Sequence, residues 1–379
     1  MYEQADKVGG RVQTEEKGGF MLDRGFQVYL TAYPETSRLL DLDALRMGTF
    51  APGAMLLSGP GFYRVMDVFR EPKAFLETVT APIGNLFDKA LVGLLRTRMV
   101  QKTEEKIWAG RDRTTYEYLR KWFFSHRMID CFFRRFYGGI FLEKELRTSA
   151  RMFQFTFKMF SEGHAALPAG GMQRIPEQLA ERLPEGSVRL GQKVMGITEK
   201  SVTLEGGEVI EGSQVVLATE GDSPLRPDGK SSDWRGVTTW YFQAERSPLP
   251  EPIIALSSSD ETQLNSVCVP SDIASGYAPE GKSLISVTSL ELKPTDDISK
   301  ELKRWFGPIS KDWKLLDSYE IKKGLPEQGP DFDQVGFTRK DGVYCCGDWA
   351  MGASIEGAVR SGLSVARAIC SETDGLERN

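Results

Sequence analysis

Two histidines, His126 and His164, are all that this 379-residue chain contains. Metal centres and Ser-His or Cys-His nucleophile schemes need more imidazole than this, in better company. Each histidine is read as a packed or surface residue, and no metal site is expected. If the chain does chemistry, a cofactor carries the hard part. Cysteine is also sparse: Cys131, Cys268, Cys345, Cys346 and Cys370 form no C-x-x-C pair, and their number is odd. That argues against a disulfide framework and for buried thiols in a reducing compartment. If adjacent Cys345 and Cys346 lie in a strand, they point to its opposite faces. No apolar run approaches the roughly 18 residues of a membrane span, which leaves only peripheral membrane contact open. A net charge of -5 with mixed signs offers no footprint for nucleic acid. The opening Met1-Tyr2-Glu3-Gln4 is polar and reads as neither signal nor transit peptide. The expected location is a reducing intracellular compartment: cytoplasmic, or plastid if a transit peptide lies upstream.

What is present is an ordinary globular composition, 40% apolar and 27% charged, on a chain long enough for one large or two interleaved domains. Met1 to Glu3 reads as the tail of a strand running into a polar turn at Ala5–Arg11. Gly19 to Leu30 reads as extended, broken at Gly25, and Tyr33 to Leu45 as a helix with Pro34 in its first turn. From Glu71 to Phe160 the pattern is helical and rich in phenylalanine: Phe123, Phe124, Phe132, Phe133, Phe136, Phe141, Phe153, Phe155, Phe157 and Phe160. These rings are expected to form the core of a helical subdomain, with the alternative that some line an apolar tunnel. Short strands are expected at 188–190, 194–197, 202–204, 209–210 and 214–218, with a hairpin turn at Gly206-Gly207. Residues 234–292 are mostly strand-like, and 298–306 a helix. Val343 to Cys346 reads as a buried strand before a helix over 354–370.

Three separated pieces carry chemistry. In the first, Glu3 ends a strand and can accept from ribose hydroxyls, while Gly9 and Gly10 let backbone approach phosphate and Arg11 adds a charged fork. In the second, Gly347-Asp348 follows a buried strand, and Ser354 is placed to cap a helix whose start suits phosphate or flavin carbonyls. The third, Leu167-Pro168-Ala169-Gly170-Gly171, is a rigid turn open to close approach.

With Leu22-Asp23-Arg24-Gly25-Phe26-Gln27 and Val215-Val216-Leu217-Ala218-Thr219, these motifs occur in the order found in the FAD-containing amine oxidase superfamily. The chain resembles most its phytoene desaturase-like and protoporphyrinogen oxidase-like branch, over nearly its whole length. The resemblance implies an α/β fold: a Rossmann-like FAD-binding domain interleaved with an α+β substrate domain having a helical block and an antiparallel sheet. It assigns residues 1–70, 163–230 and 320–379 to the first, and 71–162 and 231–319 to the second. It implies FAD as cofactor, with Glu3 on the adenosine ribose and Gly9, Gly10 and Arg11 against the pyrophosphate and ribityl region. Gly25, Phe26 and Gln27 would lie near the isoalloxazine, and the Val194 backbone at the adenine edge. Gly347 and Asp348 would meet ribityl or pyrophosphate oxygens, and Ser354, Ile355, Glu356 and Ala358 would border the flavin pyrimidine.

One departure stands out. Family members carry a strand and a G-x-G-x-x-G loop about 20 residues before the acidic residue, and Glu3 has two residues before it. The expectation is a truncated dinucleotide fold without its first strand and helix, with the next strand's flank exposed. The resemblance implies hydride removal from a C–C or C–N bond of an apolar small molecule, delivered to flavin N5, with no catalytic acid or base assignable. The rival reading is a non-catalytic relative acting as a binding module. A nicotinamide-dependent dehydrogenase is disfavoured, because the Gly347-Asp348 element has no role there.

Overall fold

The computed structural model describes residues 1–58, 61–259, 262–292 and 298–376. The chain enters along Arg189: Glu3 N–H donates to the Arg189 carbonyl at 3.0 Å, and Tyr2 forms a parallel bridge with Arg189. A hairpin of β1 (Thr14–Lys17) and β2 (Phe20–Asp23) follows, then β3 (Tyr29–Leu30). The helix expected over 33–45 is a single turn, α1 (Thr36–Leu39). Side chains from distant elements capture its backbone. Glu356 accepts the N–H groups of Glu35 and Thr36, and Gln178 takes the N–H and carbonyl of Asp41. Glu356 thus caps the start of the turn, and Gln178 takes the Asp41 groups that a longer helix would pair along its own ladder.

Next come β4 (Gly48–Thr49) and the hairpin β5 (Gly53–Ser58) and β6 (Gly61–Met66). The helical block is α2 (Phe75–Thr80), α3 (Leu86–Gln101), α4 (Glu104–Trp108), α5 (Thr115–Lys121), α6 (His126–Met128), α7 (Arg134–Phe141) and α8 (Ala150–Glu162). Local sequence starts several of these. Asn85 with Asp88 and Thr114 with Glu117 form capping boxes, and Ser149 caps α8. A π-helical turn over Ile129–Phe133 joins α6 to α7. The block closes on Leu95, Leu119, Phe124, Phe133, Tyr137 and Phe153, all buried, with Tyr137 and Phe153 edge to face at 4.7 Å.

The chain then forms β7 (Ala165–Leu167), α9 (Arg174–Ala180) and the meander β8 (Val194–Ile197), β9 (Ser201–Leu204) and β10 (Val209–Glu211), with Gly207 at φ +82° in the expected hairpin turn. The strand expected at 188–190 is only the bridge at Arg189. After β11 (Val216–Leu217) come β12 (Trp234–Ala244), β13 (Ile254–Ser257), β14 (Ser266–Cys268), α10 (Pro270–Ile273) and β15 (Ser283–Ser289). Then follow α11 (Ile298–Phe306), β16 (Lys314–Pro326), β17 (Thr338–Lys340), β18 (Val343–Cys345) and α12 (Ile355–Leu376).

A seven-stranded sheet, ordered β16-β12-β15-β14-β13-β5-β6, separates two apolar layers. Tyr241 and Leu284 face one layer, whereas Phe242 and Ile285 face the other with Trp305 and Trp313, as strand alternation requires. The sheet is mixed rather than wholly antiparallel, because β5 runs parallel to β13. That pairing draws β5 and β6 into this sheet, away from the N-terminal part where a boundary at residue 70 puts them. Strand β16 likewise runs across the boundary at residue 319.

In the second sheet β11 lies parallel to β18, with β17 beyond. Cys345 packs with Leu217 on one face and Cys346 with Val365 of α12 on the other, the opposed arrangement expected of neighbours in a strand. Strand β11 is at the edge of this sheet, and Val216 is 43% exposed. No helix among the described residues is long and apolar enough to cross a membrane.

Candidate active site

The two ends of the chain meet at one cavity of about 2470 Å³, more than twice the ~1,000 Å³ upper range of ordinary small-molecule pockets. Glu3 and Asp348 both line it. So do Gly9, Gly10, Arg11, Gly25, Phe26, Gln27, Val194, Gly347, Ser354, Ile355 and Ala358. Thirteen of the fourteen residues singled out in the sequence therefore face a common space.

Glu356 is the exception. It is 1% exposed, and its carboxylate accepts from the backbone of Glu35 and Thr36, the Thr36 hydroxyl and Arg360 Nε. Ile355 and Ala358 before and after it present α12 to the cavity, while Glu356 turns inward and ties the helix start to α1. Its position in the motif is as expected, but its side chain does a structural job.

Arg11 organises the junction. Its Nη2 donates to Asp348 Oδ1 at 2.6 Å, its Nη1 to the Gly324 carbonyl at 3.0 Å, and its guanidinium lies 5.1 Å from the Trp234 ring centroid. Gln27 Nε2 donates to the Arg11 carbonyl, so the Leu22–Gln27 motif holds the glycine turn in place. Burial pushes the Asp348 carboxyl above its ordinary range, and the neighbouring guanidinium pulls it back down.

Backbone conformation explains the glycines. Gly9 sits at φ +114°, where an added Cβ would stand 2.5 Å from the Val12 carbonyl. At Gly10, φ +58°, a Cβ would meet nothing within 4 Å, so any side chain would project into open space beside the cavity. Glu3 uses one carboxylate oxygen to accept Ala5 N–H at 2.8 Å, leaving the other to a ligand. Ser354 Oγ accepts Gly357 N–H at 2.9 Å, which caps the 22-residue α12 and leaves its positive end at the cavity wall. An acidic group able to accept from ribose hydroxyls, a glycine turn with space above it and a long helix start with free N–H groups suit a flavin dinucleotide. The residues fit FAD.

Phenyl rings divide as the sequence allowed. Phe124, Phe133 and Phe153 are fully buried in the helical core, whereas Phe132, Phe136, Phe141, Phe157 and Phe160 line the cavity. Phe123 does neither, at 79% exposed. His126 is on the surface, and His164 lies at the cavity edge, 2.5 Å from Arg70 Nη2, its pKa lowered by burial and by that guanidinium.

Two contributors escaped the sequence reading. Gln328, 3% exposed, donates to the Asp348 carbonyl and accepts Ala353 N–H, bracing the Gly347–Ser354 loop. Its Pro326 and Gly329 neighbours mark a loop, which is the one available signal. Trp234, beside Arg11 and within 5.7 Å of Lys323 Nζ, begins β12 with no local signature.

Comparison with known proteins agrees with this geometry. The chain resembles the structure of an oxidoreductase from Methanosarcina mazei at a TM-score of 0.73 and 16% identity, over 97% of this chain and 93% of that one. Cyclohexylamine oxidase from Brevibacterium oxydans is similar at a TM-score of 0.68 and 16% identity, covering 98% and 93%. Putrescine oxidase bound to putrescine has the same TM-score, with 17% identity and the same coverage. At such identities these likenesses establish the fold. A comparison with curated protein sequences finds no match. The pattern of the flavin containing amine oxidoreductases, however, matches residues 1–370, and the chain belongs to that family as an FAD-dependent oxidoreductase.

Proposed function

We propose that the chain removes a hydride from a C–C or C–N bond of an apolar small molecule held among Phe132, Phe136, Phe157 and Phe160. Bound FAD supplies the electron sink, at flavin N5. Glu3 accepts hydrogen bonds from the adenosine ribose through its unengaged oxygen, and the Val194 backbone meets the adenine edge. Gly9 and Gly10 admit phosphate to the backbone, with Arg11 held ready by Asp348. Ser354, Ile355 and Ala358, at the positive end of α12, border the flavin pyrimidine. Gly25, Phe26 and Gln27 flank the ring, and Gln27 also fixes Arg11. In this division residues 71–162 and most of 231–319 hold the substrate, joined by strands β5 and β6, and the rest holds the cofactor.

The observation that carries this reading is continuity: the phenyl-lined wall and the Arg11–Asp348 junction border one cavity. Phenyl walls offer no polar groups to hold water, which strengthens polar interactions near the reacting carbon. Anaerobic addition of substrates to the FAD-loaded chain tests it. An apolar alkene or amine should bleach the flavin absorbance, and a charged polyamine should not. Bleaching by the polyamine alone would overturn the substrate class.

A further inference from the structure

Where the phenyl wall of the cavity meets the seven-stranded sheet, the lining turns polar. Leu56 of β5, Leu256 of β13, Ser266 of β14, Thr288 of β15 and Thr239 of β12 are successive cross-strand partners, so they share one face of the sheet. Leu256 packs in one cluster with Phe132 and Phe136 of the proposed substrate wall. The next two positions exchange hydrocarbon for hydroxyl: Ser266 and Thr288, each 4% exposed, line the cavity. Asn265 lines it too, 8% exposed, with its backbone N–H on the Thr288 carbonyl at 2.8 Å.

None of these three side chains has a hydrogen-bond partner among the described residues. Gly139, three residues beyond Phe136 on α7, also lines the cavity. A Cβ there would stand 2.5 Å from Asn265 Nδ2, so glycine leaves the amide its room. Burying an unpaired amide or hydroxyl is destabilising, and an apolar side chain would fill the same wall without that penalty. Three such groups side by side suit a polar atom of a ligand. Asn265 offers a donor and an acceptor, each hydroxyl offers both, and none carries charge. An ionised group here would leave water with no counter-charge from these residues.

The polar residues also stand away from the flavin wall. Val237, two residues from Thr239 on β12, lies 3.9 Å from where a Cβ on Gly25 would be. Ser266 is two strands across from Thr239, which puts it about 12 Å from Val237 at ordinary strand spacings.

We infer that Asn265, with Ser266 and Thr288, forms a subsite for a neutral hydroxyl or carbonyl at the end of the substrate remote from the oxidised bond. The substrate is then an amphiphile, a hydrocarbon body with an uncharged polar terminus, and not a plain hydrocarbon. This rests on the proposed reading of the phenyl wall as the substrate site.

The test is displacement of the apolar fluorophore N-phenyl-1-naphthylamine from the full chain, with FAD present, by 1-octanol, 1-fluorooctane and octanoate. In the parent, 1-octanol should bind at least as tightly as 1-fluorooctane, and octanoate more weakly than either. Asn265→Leu keeps the wall filled, and should shift the ratio of the two neutral Kd values about fivefold against the alcohol, the worth of one neutral hydrogen bond. The double variant Ser266→Ala/Thr288→Val should shift that ratio the same way, and decides the matter if Asn265→Leu does not fold. Phe136→Leu should weaken both neutral compounds alike and leave the ratio unchanged. A ratio that neither polar variant moves, or tighter binding of octanoate than of 1-octanol, would overturn the subsite and leave the phenyl wall standing. Failure of both neutral compounds to displace the fluorophore would overturn the wall itself, and the subsite with it.

Discussion

Arg11 and Asp348 are 337 positions apart in the chain and 2.6 Å apart in the structure. The pair closes the glycine turn of the N-terminal segment onto the loop before the last helix. Removing one partner of a buried ion pair strands the other, at about 3–5 kcal/mol when both are fully buried. Asp348 is 6% exposed but Arg11 is 28% exposed, so Arg11→Ala should cost less than that full amount, about 2–3 kcal/mol. Chemical denaturation of the two proteins measures it. An unchanged midpoint would mean that the pair does not join the ends.

Gly9 and Gly10 should fail in different ways. Gly9→Ala forces Cβ against the Val12 carbonyl and Pro176, and should lose at least ~1–3 kcal/mol of stability. Gly10→Ala should lose only roughly 1 kcal/mol for its left-handed backbone, yet weaken FAD binding because its methyl enters the space above the turn. Melting temperature and FAD titration of both variants separate the two effects.

Burial pushes the Asp23 carboxyl up from 3.8 to about 6, against donors from Thr14, Tyr277 and the Met172 backbone that hold the ion. With its folded pKa raised, the neutral group favours the folded state below pH 3.8, and that advantage is lost as pH rises through about 6. The contribution is about 3 kcal/mol, at roughly 1.4 kcal/mol per pH unit. Asp23→Asn should therefore flatten the stability profile between pH 4 and pH 6, followed by urea midpoints across that range. A slope identical to the parent's would remove Asp23 from the account.

Phe133 and Phe136 are three residues apart and should report different things. Phe133 is fully buried, so Phe133→Ala should cost about 3–5 kcal/mol of stability. Phe136 is partly buried and borders the cavity, so Phe136→Ala should cost less stability and more affinity for an apolar ligand. Denaturation midpoints paired with ligand titration distinguish core from wall.

Much of this was legible in the sequence where local chemistry decides the outcome. Helix α11 appears as expected, and Ser354 caps α12 as its position before a run of helix formers implies. The Gly206-Gly207 turn and the opposed cysteines follow from turn chemistry and strand alternation alone. Long-range pairing was not legible. Strand β16 is rich in lysine and acidic residues, and it exists because β12 offers it an edge. The β5–β6 hairpin owes its place to β13, some two hundred positions later. Helix α1 stops early where Gln178 takes the N–H and carbonyl of Asp41, a competition that no local pattern records. Glu356 shows the same limit within the site. Motif position correctly put its neighbours at the cavity, but only the fold reveals that Thr36 claims the carboxylate.

The most direct measurement is the melting temperature of the 379-residue chain as FAD is added, since a ligand bound to the folded state alone raises it. If one dinucleotide spans both termini, the rise should be clear in the parent and largely abolished by Glu3→Ala and by Asp348→Asn, changes made at opposite ends of the sequence. No rise in the parent, or the same rise in both variants, would contradict the claim.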